Sequence, residues 1–329
     1  MTITVLSESE LRQCARLDAR SVDTIAGAFA ALHRGEAVMP PVLSMDLAER
    51  NAEVDVKMAW MRGLDAFAVK ISPGFFDNPK HGLPSLSGMM ALLSSETGRV
   101  QAALLDNGWL TDLRTAAAGV VAARYLARED ARSAAVLGSG LQARLQLEAL
   151  SLVRPIERAM VWGRDAKRAG QCATDCAQRL DIEVVVAKTP AEALQAADVA
   201  VTTTPAREPI VTADMLHPGL HITAMGSDAA GKNEIAPEVL VAADLYVCDV
   251  QAQCAERGEL RSAIASGLMT GDTSLPELGA IAAAARPGRE DSAAVTIADL
   301  TGTGVQDTAI AVLAFEEGTS LGYGTRIDA

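Results

Sequence analysis

An apolar run, Ala134 to Leu137, passes directly into Gly138-Ser139-Gly140-Leu141-Gln142-Ala143 and then into a helical pattern from Arg144 to Leu152. Few folds accommodate that order. The run suits a buried parallel strand, Gly138 a tight turn, and Gly140 a stretch of bare backbone. The helix then opens with its first N–H groups pointing outward, which accepts a pyrophosphate. Ala143 stands at the third position of the G-x-G-x-x-G/A spacing, where close helix–strand packing requires only a small residue. The spacing alone also fits a glycine-rich turn in an unrelated α/β protein, so its context decides.

From Ser133 onward strand and helix patterns alternate, with strands expected at 134–137, 159–162, 183–186, 199–202, 221–225 and 245–248. Such alternation predicts a doubly wound parallel sheet, with the glycine turn after its first strand as dinucleotide binding requires. The second strand ends in Gly163-Arg164-Asp165, with no carboxylate at Gly163. Arg164 can neutralise a 2′-phosphate, or stack on adenine while Asp165 reaches the ribose. The fourth strand ends in Thr203-Thr204-Pro205 and the fifth in Gly226-Ser227-Asp228, at the carboxyl edge where ligands of such sheets lie. Asp228 is a candidate proton donor; an Asx turn is its structural alternative.

The first third of the chain reads differently. Residues 8–34 form amphipathic helices ended by Gly35, followed by strand-like runs at 38–45, 54–60, 66–72, 89–94 and 100–105. Strands without intervening helices indicate an antiparallel or mixed sheet, hence a second domain. Lys70 interrupts the apolar run 66–71 and shares a face with Ala66 and Ala68, either in solvent or held toward a partner. The Pro- and Gly-dense stretch 71–84, with Phe75 and Phe76, reads as a loop forming a pocket wall. Residues 111–128 read as a helix capped by Thr111. Arg114 then lies in the first turn, where a cation opposes the helix dipole. That placement suits a carboxylate bound jointly by the guanidinium and the helix N-terminus; an exposed arginine is the alternative.

The formal net charge of −13 and the lack of a basic patch exclude nucleic acid and anionic membranes as expected partners. No run is long enough to span a membrane and no leader stands at Met1, so a soluble cytoplasmic protein is expected. Five scattered cysteines and four unpaired histidines suggest neither a disulfide framework nor a metal site.

Taken together, Lys70 in AVKISPG, Leu113-Arg114-Thr115-Ala116-Ala117, GSGLQA, Thr203-Thr204-Pro205, Gly226-Ser227-Asp228 with Lys232-Asn233-Glu234, and Gly302-Thr303-Gly304-Val305-Gln306-Asp307 resemble the ornithine cyclodeaminase and mu-crystallin family over nearly the whole chain. The resemblance implies an α/β fold: a Rossmann-type doubly wound parallel sheet, 116–309, inserted in a second α+β domain for substrate and homodimerisation, 1–115 with 310–329. It implies that Lys70 and Arg114 hold a substrate carboxylate and that Asp228 is the acid/base group. Cofactor contacts are implied at Thr115, Gly138, Ser139, Gly140, Leu141, Gln142, Gly163, Arg164, Asp165, Thr203, Thr204, Pro205, Met225, Gly226, Gly304 and Val305.

Within the family, PPVLSMDL, SPGFFDNPK and LLDNGWLTDLRTAAAG are most similar to the ectoine-utilisation branch and to the branch that reduces iminosuccinate. Many members carry an arginine shortly after the prolines matching Pro40 and Pro41. Here Val42-Leu43 follow, and Lys57 is the candidate replacement. Lys57, Lys70 and Arg114 together suit a dicarboxylate imine such as iminosuccinate, reduced to aspartate. The branch implies NAD(H), whereas Arg164 favours NADP(H). The rival expectations are a cyclodeaminase using NAD catalytically and a non-enzymatic, crystallin-like protein that holds NADP and a ligand.

Overall fold

The computed structural model describes residues 2–328 of the chain. Its strands are β1 (Thr2–Ser7), β2 (Ala37–Val38), β3 (Leu43–Leu47), β4 (Ala52–Met61), β5 (Ala66–Phe75), β6 (Met89–Ser94) and β7 (Val100–Leu105), followed by β8 (Ser133–Leu137), β9 (Arg158–Trp162), β10 (Glu183–Val186), β11 (Val199–Thr202), β12 (His221–Ala224), β13 (Leu245–Cys248), β14 (Thr296–Asp299) and β15 (Thr325–Asp328). Packing divides the chain into two units, Met1–Arg114 with Thr303–Ala329, and Thr115–Gly302. Gly304 and Val305 therefore belong to the first unit.

The first unit is built on a mixed sheet in the order β15-β1-β7-β6-β5-β4-β2, with β3 also pairing β4. Among the described residues only β1 and β7 run parallel; the other neighbours are antiparallel. Register fixes one row across five strands: Lys57 opposite Lys70, then Met90, Leu104 and Leu6. Ala66, Ala68 and Lys70 alternate into the buried face of β5, so period-two geometry carries Lys70 inward with the alanines. The helix Gly304–Ser320 packs on β4 and β5 because its contacts are small. A Cβ at Gly304 would stand 2.4 Å from the Met58 carbonyl oxygen. Thr308 Oγ1 donates to the Ala59 carbonyl at 2.7 Å and accepts from the Ala68 N–H at 3.0 Å.

The second unit is a parallel seven-stranded sheet in the order β10-β9-β8-β11-β12-β14-β13. The chain winds outward in both directions from β8, so β8 and β11 border the point where strand order reverses. Ligands of such sheets lie in the crevice outside the carboxyl ends at that point. Here those ends carry Gly138-Ser139-Gly140 and Thr203-Thr204-Pro205. All five cysteines are buried thiols. Among the described residues no helix is long and apolar enough to cross a membrane.

Several expectations need correction. The run at 38–45 is not one strand but two short ones, β2 and β3. The stretch 71–84 does not begin as a loop: β5 continues through Pro73 to Phe75, and a 3-10 turn spans Asn78–His81. The helix expected from Thr111 starts two residues earlier and runs Trp109–Leu126. Asp106, not Thr111, serves its first turn, accepting the Leu110 N–H at 2.9 Å. The helix expected from Arg144 likewise starts at Leu141. Three strands are additional to the sequence reading: β1, β14 and β15, the last exposed throughout and without an apolar alternation.

Candidate active site

Three cations of the first unit converge in its interior. Lys57, Lys70 and Arg114 are 6%, 2% and 6% exposed, and the carboxylate they surround, Asp307, is fully buried. Lys70 Nζ donates to Asp307 Oδ1 at 2.9 Å and Arg114 Nε lies 3.1 Å from the same oxygen. Arg114 Nη1 donates to Gln306 Oε1 at 3.0 Å, and that oxygen also takes the Thr303 N–H at 3.1 Å. Burial works to raise the Asp307 carboxyl, yet Lys70, Arg114 and Lys57 outweigh it and hold its pKa below the usual value. Burial pushes the Lys70 ammonium down to about 7, with Asp307 opposing and Arg114 and Lys57 adding repulsion. Like charges directly opposite on neighbouring strands are mutually destabilising. Asp307 supplies the negative charge that offsets them in this register.

Arg114 needs a different explanation from the one its sequence position suggested. With the helix starting at Trp109, Arg114 is in the second turn, where the dipole argument lapses. Its backbone N–H lies inside the helix, so a helix N-terminus and the guanidinium do not share one anion here. What places the guanidinium is Asp307 and Gln306. Neither was singled out as a site residue from sequence. The visible signal was a polar Gln-Asp pair opening an otherwise apolar helix.

In the second unit, Gly138 adopts φ +135°, and a Cβ there would stand 2.2 Å from Thr203 Oγ1. Gly140 precedes the helix Leu141–Leu150, no side chain caps that helix, and nothing lies within 4 Å of a Cβ built at Gly140. A Cβ at Gly163 would lie 3.0 Å from Ser139 Oγ, so the ends of β8 and β9 also approach closely. Arg144 Nη1 donates to the carbonyls of Ser139 and Gly140 at 2.9 and 3.0 Å. Those carbonyls are thereby occupied, and the start of the helix after Gly140, which has no side-chain cap, suits a phosphate.

Other expected contacts have local tasks. Asp165 caps the helix Ala166–Leu180, its Oδ1 accepting from the N–H groups of Lys167 and Arg168 at 2.9 and 3.1 Å, while Arg164 is exposed. The Thr115 carbonyl accepts Gln146 Nε2 at 3.1 Å, Met225 is buried at the end of β12, and Val305 is buried in the first unit. Asp228 is 47% exposed and accepts Lys232 Nζ at 2.5 Å.

The sequence reading used Glu234 only as part of a resemblance, yet it is central to this edge. Its Oε2 accepts Thr202 Oγ1 at 2.6 Å and the Gly226 N–H at 2.7 Å; its Oε1 accepts the Thr204 N–H at 2.6 Å and Thr204 Oγ1 at 2.7 Å. Burial, with Glu259 adding to it, raises the Glu234 carboxyl to about 7 against the pull of the threonine donors. Glu259 in turn accepts Ser227 Oγ at 2.5 Å, the Glu234 N–H at 2.9 Å and Asn233 Nδ2.

Residues 2–320 match the family model described as the ornithine cyclodeaminase/mu-crystallin family. A protein of Rhizobium meliloti named as a dehydrogenase is 54% identical over 98% of each chain. The solved Delta(1)-pyrroline-2-carboxylate reductase of Thermococcus litoralis, in complex with NADH and L-proline, has a TM-score of 0.94 at 29% identity, covering 99% of this chain and all of that one. The iminosuccinate reductase of Paracoccus denitrificans, solved with NAD+, has a TM-score of 0.91 at 30% identity, covering 100% of both chains. A glycine turn on a parallel sheet occurs in many proteins. Joined to a buried Lys-Arg-Asp cluster and matched from end to end, it places this chain in the ornithine cyclodeaminase/mu-crystallin family.

Proposed function

We propose that the protein is an NAD-dependent imine reductase for a dicarboxylic substrate, converting iminosuccinate to aspartate. The observation that carries this reading is the Lys57–Lys70 pair, buried and in direct register, with Arg114 on the same buried carboxylate. One carboxylate of the substrate is held by Arg114 and Lys70, the second by Lys57. A diamine such as ornithine would add a cation to this cluster, which disfavours the cyclodeaminase alternative. Asp228 supplies or positions the proton for the imine nitrogen.

The second unit fits the cofactor. The pyrophosphate is assigned to the N–H groups at Gly138–Gln142, where Gly140 leaves open space, and the nicotinamide end to Thr203, Thr204, Pro205, Met225 and Gly226. When bound, the reduced nicotinamide supplies a hydride to the imine carbon. Asp165 is occupied as a helix cap and Arg164 is exposed, so neither commits the adenosine end to a 2′-phosphate; the solved relatives that hold NADH and NAD+ favour NAD(H). The assembly we assign is a homodimer, supported by exposed Val38, Leu43 and Met45 on short strands at the edge of the first sheet.

The test is nicotinamide absorbance with NADH or NADPH, offering oxaloacetate plus ammonium, pyruvate plus ammonium, or ornithine. Ammonium-dependent oxidation of NADH with oxaloacetate, well above that with pyruvate, is expected. Ammonia released from ornithine without net change in absorbance would overturn the assignment in favour of a cyclodeaminase.

A further inference from the structure

The carboxyl edge of the parallel sheet is held by two buried carboxylates that the reaction above does not use directly. Glu234 takes four donors, two from backbone N–H groups, and they come from two separate segments: Thr202 and Thr204 at the end of β11, and Gly226 after β12. Gly226 has to be glycine for this to happen. A Cβ there would stand 2.2 Å from the Thr204 carbonyl oxygen and 2.4 Å from Glu234 Oε2. Glu259 grips the next residue through Ser227 Oγ and also takes the Glu234 N–H. Two carboxylates thus hold consecutive residues, Gly226 and Ser227, and Asp228 follows in the chain.

Burying one carboxylate beside another costs stability that an apolar or amide residue would not. A glutamine in place of Glu234 has one acceptor oxygen, so its amide hydrogens would face either the Thr204 N–H or the Gly226 N–H. Of these residue types only a carboxylate accepts from both segments at once. We propose that Glu234 is a positioning residue that fixes the spacing between segment 202–205 and segment 226–228, and with it the nicotinamide contacts and the approach of Asp228. This inference rests on the cofactor assignment made above.

The experiment compares E234Q and E234D with the parent full-length protein by amide hydrogen exchange, NADH affinity from fluorescence titration, Tm, and steady-state kinetics. In E234Q the like-charge contact with Glu259 is gone while one backbone N–H loses its acceptor, so the two effects oppose each other and Tm is expected to change little. The amides of Thr204 and Gly226 are expected to exchange about tenfold faster or more, and kcat to fall by about tenfold or more with a smaller change in KM for the imine. E234D, which keeps the charge but cannot span both segments, is expected to lose kcat in the same way. Unchanged exchange and NADH affinity in E234Q would overturn the proposal, as would parallel losses of Tm and kcat that E234D restores. Exchange and NADH affinity are read without any imine. A parent protein inert toward iminosuccinate would remove the substrate assignment alone, whereas silent E234Q exchange would remove the Glu234 assignment alone.

Discussion

Lys57 and Lys70 stand directly opposite each other across β4 and β5, both buried, and Lys70 Nζ donates to Asp307 Oδ1 at 2.9 Å. Their repulsion is relieved when a dianion arrives. Lys57→Met is therefore expected to weaken a dicarboxylate far more than a monocarboxylate. Loss of one charge-assisted hydrogen bond, about 2 kcal/mol, corresponds to a rise of roughly 30-fold in KM. Steady-state kinetics with paired mono- and dicarboxylate imines reads the difference; equal effects on both would end the role of Lys57 as a substrate ligand.

Arg114 is held by Asp307 and Gln306 in a fixed orientation, so its worth lies in direction as well as charge. Arg114→Ala is expected to reduce kcat/KM by about 2 to 4 kcal/mol of transition-state binding. Arg114→Lys should recover little of this, because a lysine cannot match the paired acceptors on the helix Gly304–Ser320. Catalytic efficiency retained in Arg114→Ala would refute the assignment.

Much of this was legible in the sequence, and the misses have physical causes. The glycine turn and the six short apolar runs fixed the parallel sheet because buried strands between helices leave a strong local pattern. Lys70 could not be placed, since alternation shows which residues share a face but not which face is covered; that depends on the helix Gly304–Ser320, more than two hundred residues away. The same distance hid Asp307 and Gln306. The role of Glu234 is not legible in sequence because its four donors are hydroxyls and backbone N–H groups from the ends of two strands, and no spacing rule encodes such a convergence. The dipole argument for Arg114 depends on a helix start at Thr111, and the helix starts at Trp109.

A pH profile tests the cation cluster. Lys70 is depressed to about 7, chiefly by burial, so free enzyme loses its ammonium charge as pH rises through that value. kcat/KM for an anionic imine should fall on the alkaline side with an apparent pKa near 7, and kcat/KM reports the free enzyme. Lys70→Met should abolish that limb. A profile flat from pH 6 to 9 would show that Lys70 stays charged or is not used.

Asp299 offers a separate test of the buried acids in the parallel sheet. It is fully buried, accepts Tyr246 Oη at 2.6 Å and the Leu260 N–H at 3.1 Å, and burial with Glu259 nearby raises it to about 8. The folded state then holds a proton that the unfolded chain releases near the ordinary carboxylate pKa, so this group's contribution to stability falls as pH climbs from about 4 to 8. Asp299→Asn cannot titrate. The Tm of the variant minus that of the parent should therefore rise steadily over that range, and a difference independent of pH would show that Asp299 is ionised in the fold.

The two glycines of the β8 turn should fail in different ways. Gly138 has φ +135° and no room, since a Cβ would meet Thr203 Oγ1 at 2.2 Å, so Gly138→Ala should lower Tm and displace Thr203. Gly140 has an ordinary φ of −84° and open space on every side of its Cβ position, so Gly140→Ala should fold with a Tm close to the parent. If that space is where the pyrophosphate lies, the added methyl enters it and NADH affinity should fall by about tenfold or more, a loss of roughly 1.4 kcal/mol. Fluorescence titration of NADH against both variants separates the cases. Undiminished affinity in Gly140→Ala would move the pyrophosphate away from this turn and with it the whole orientation assigned to the cofactor.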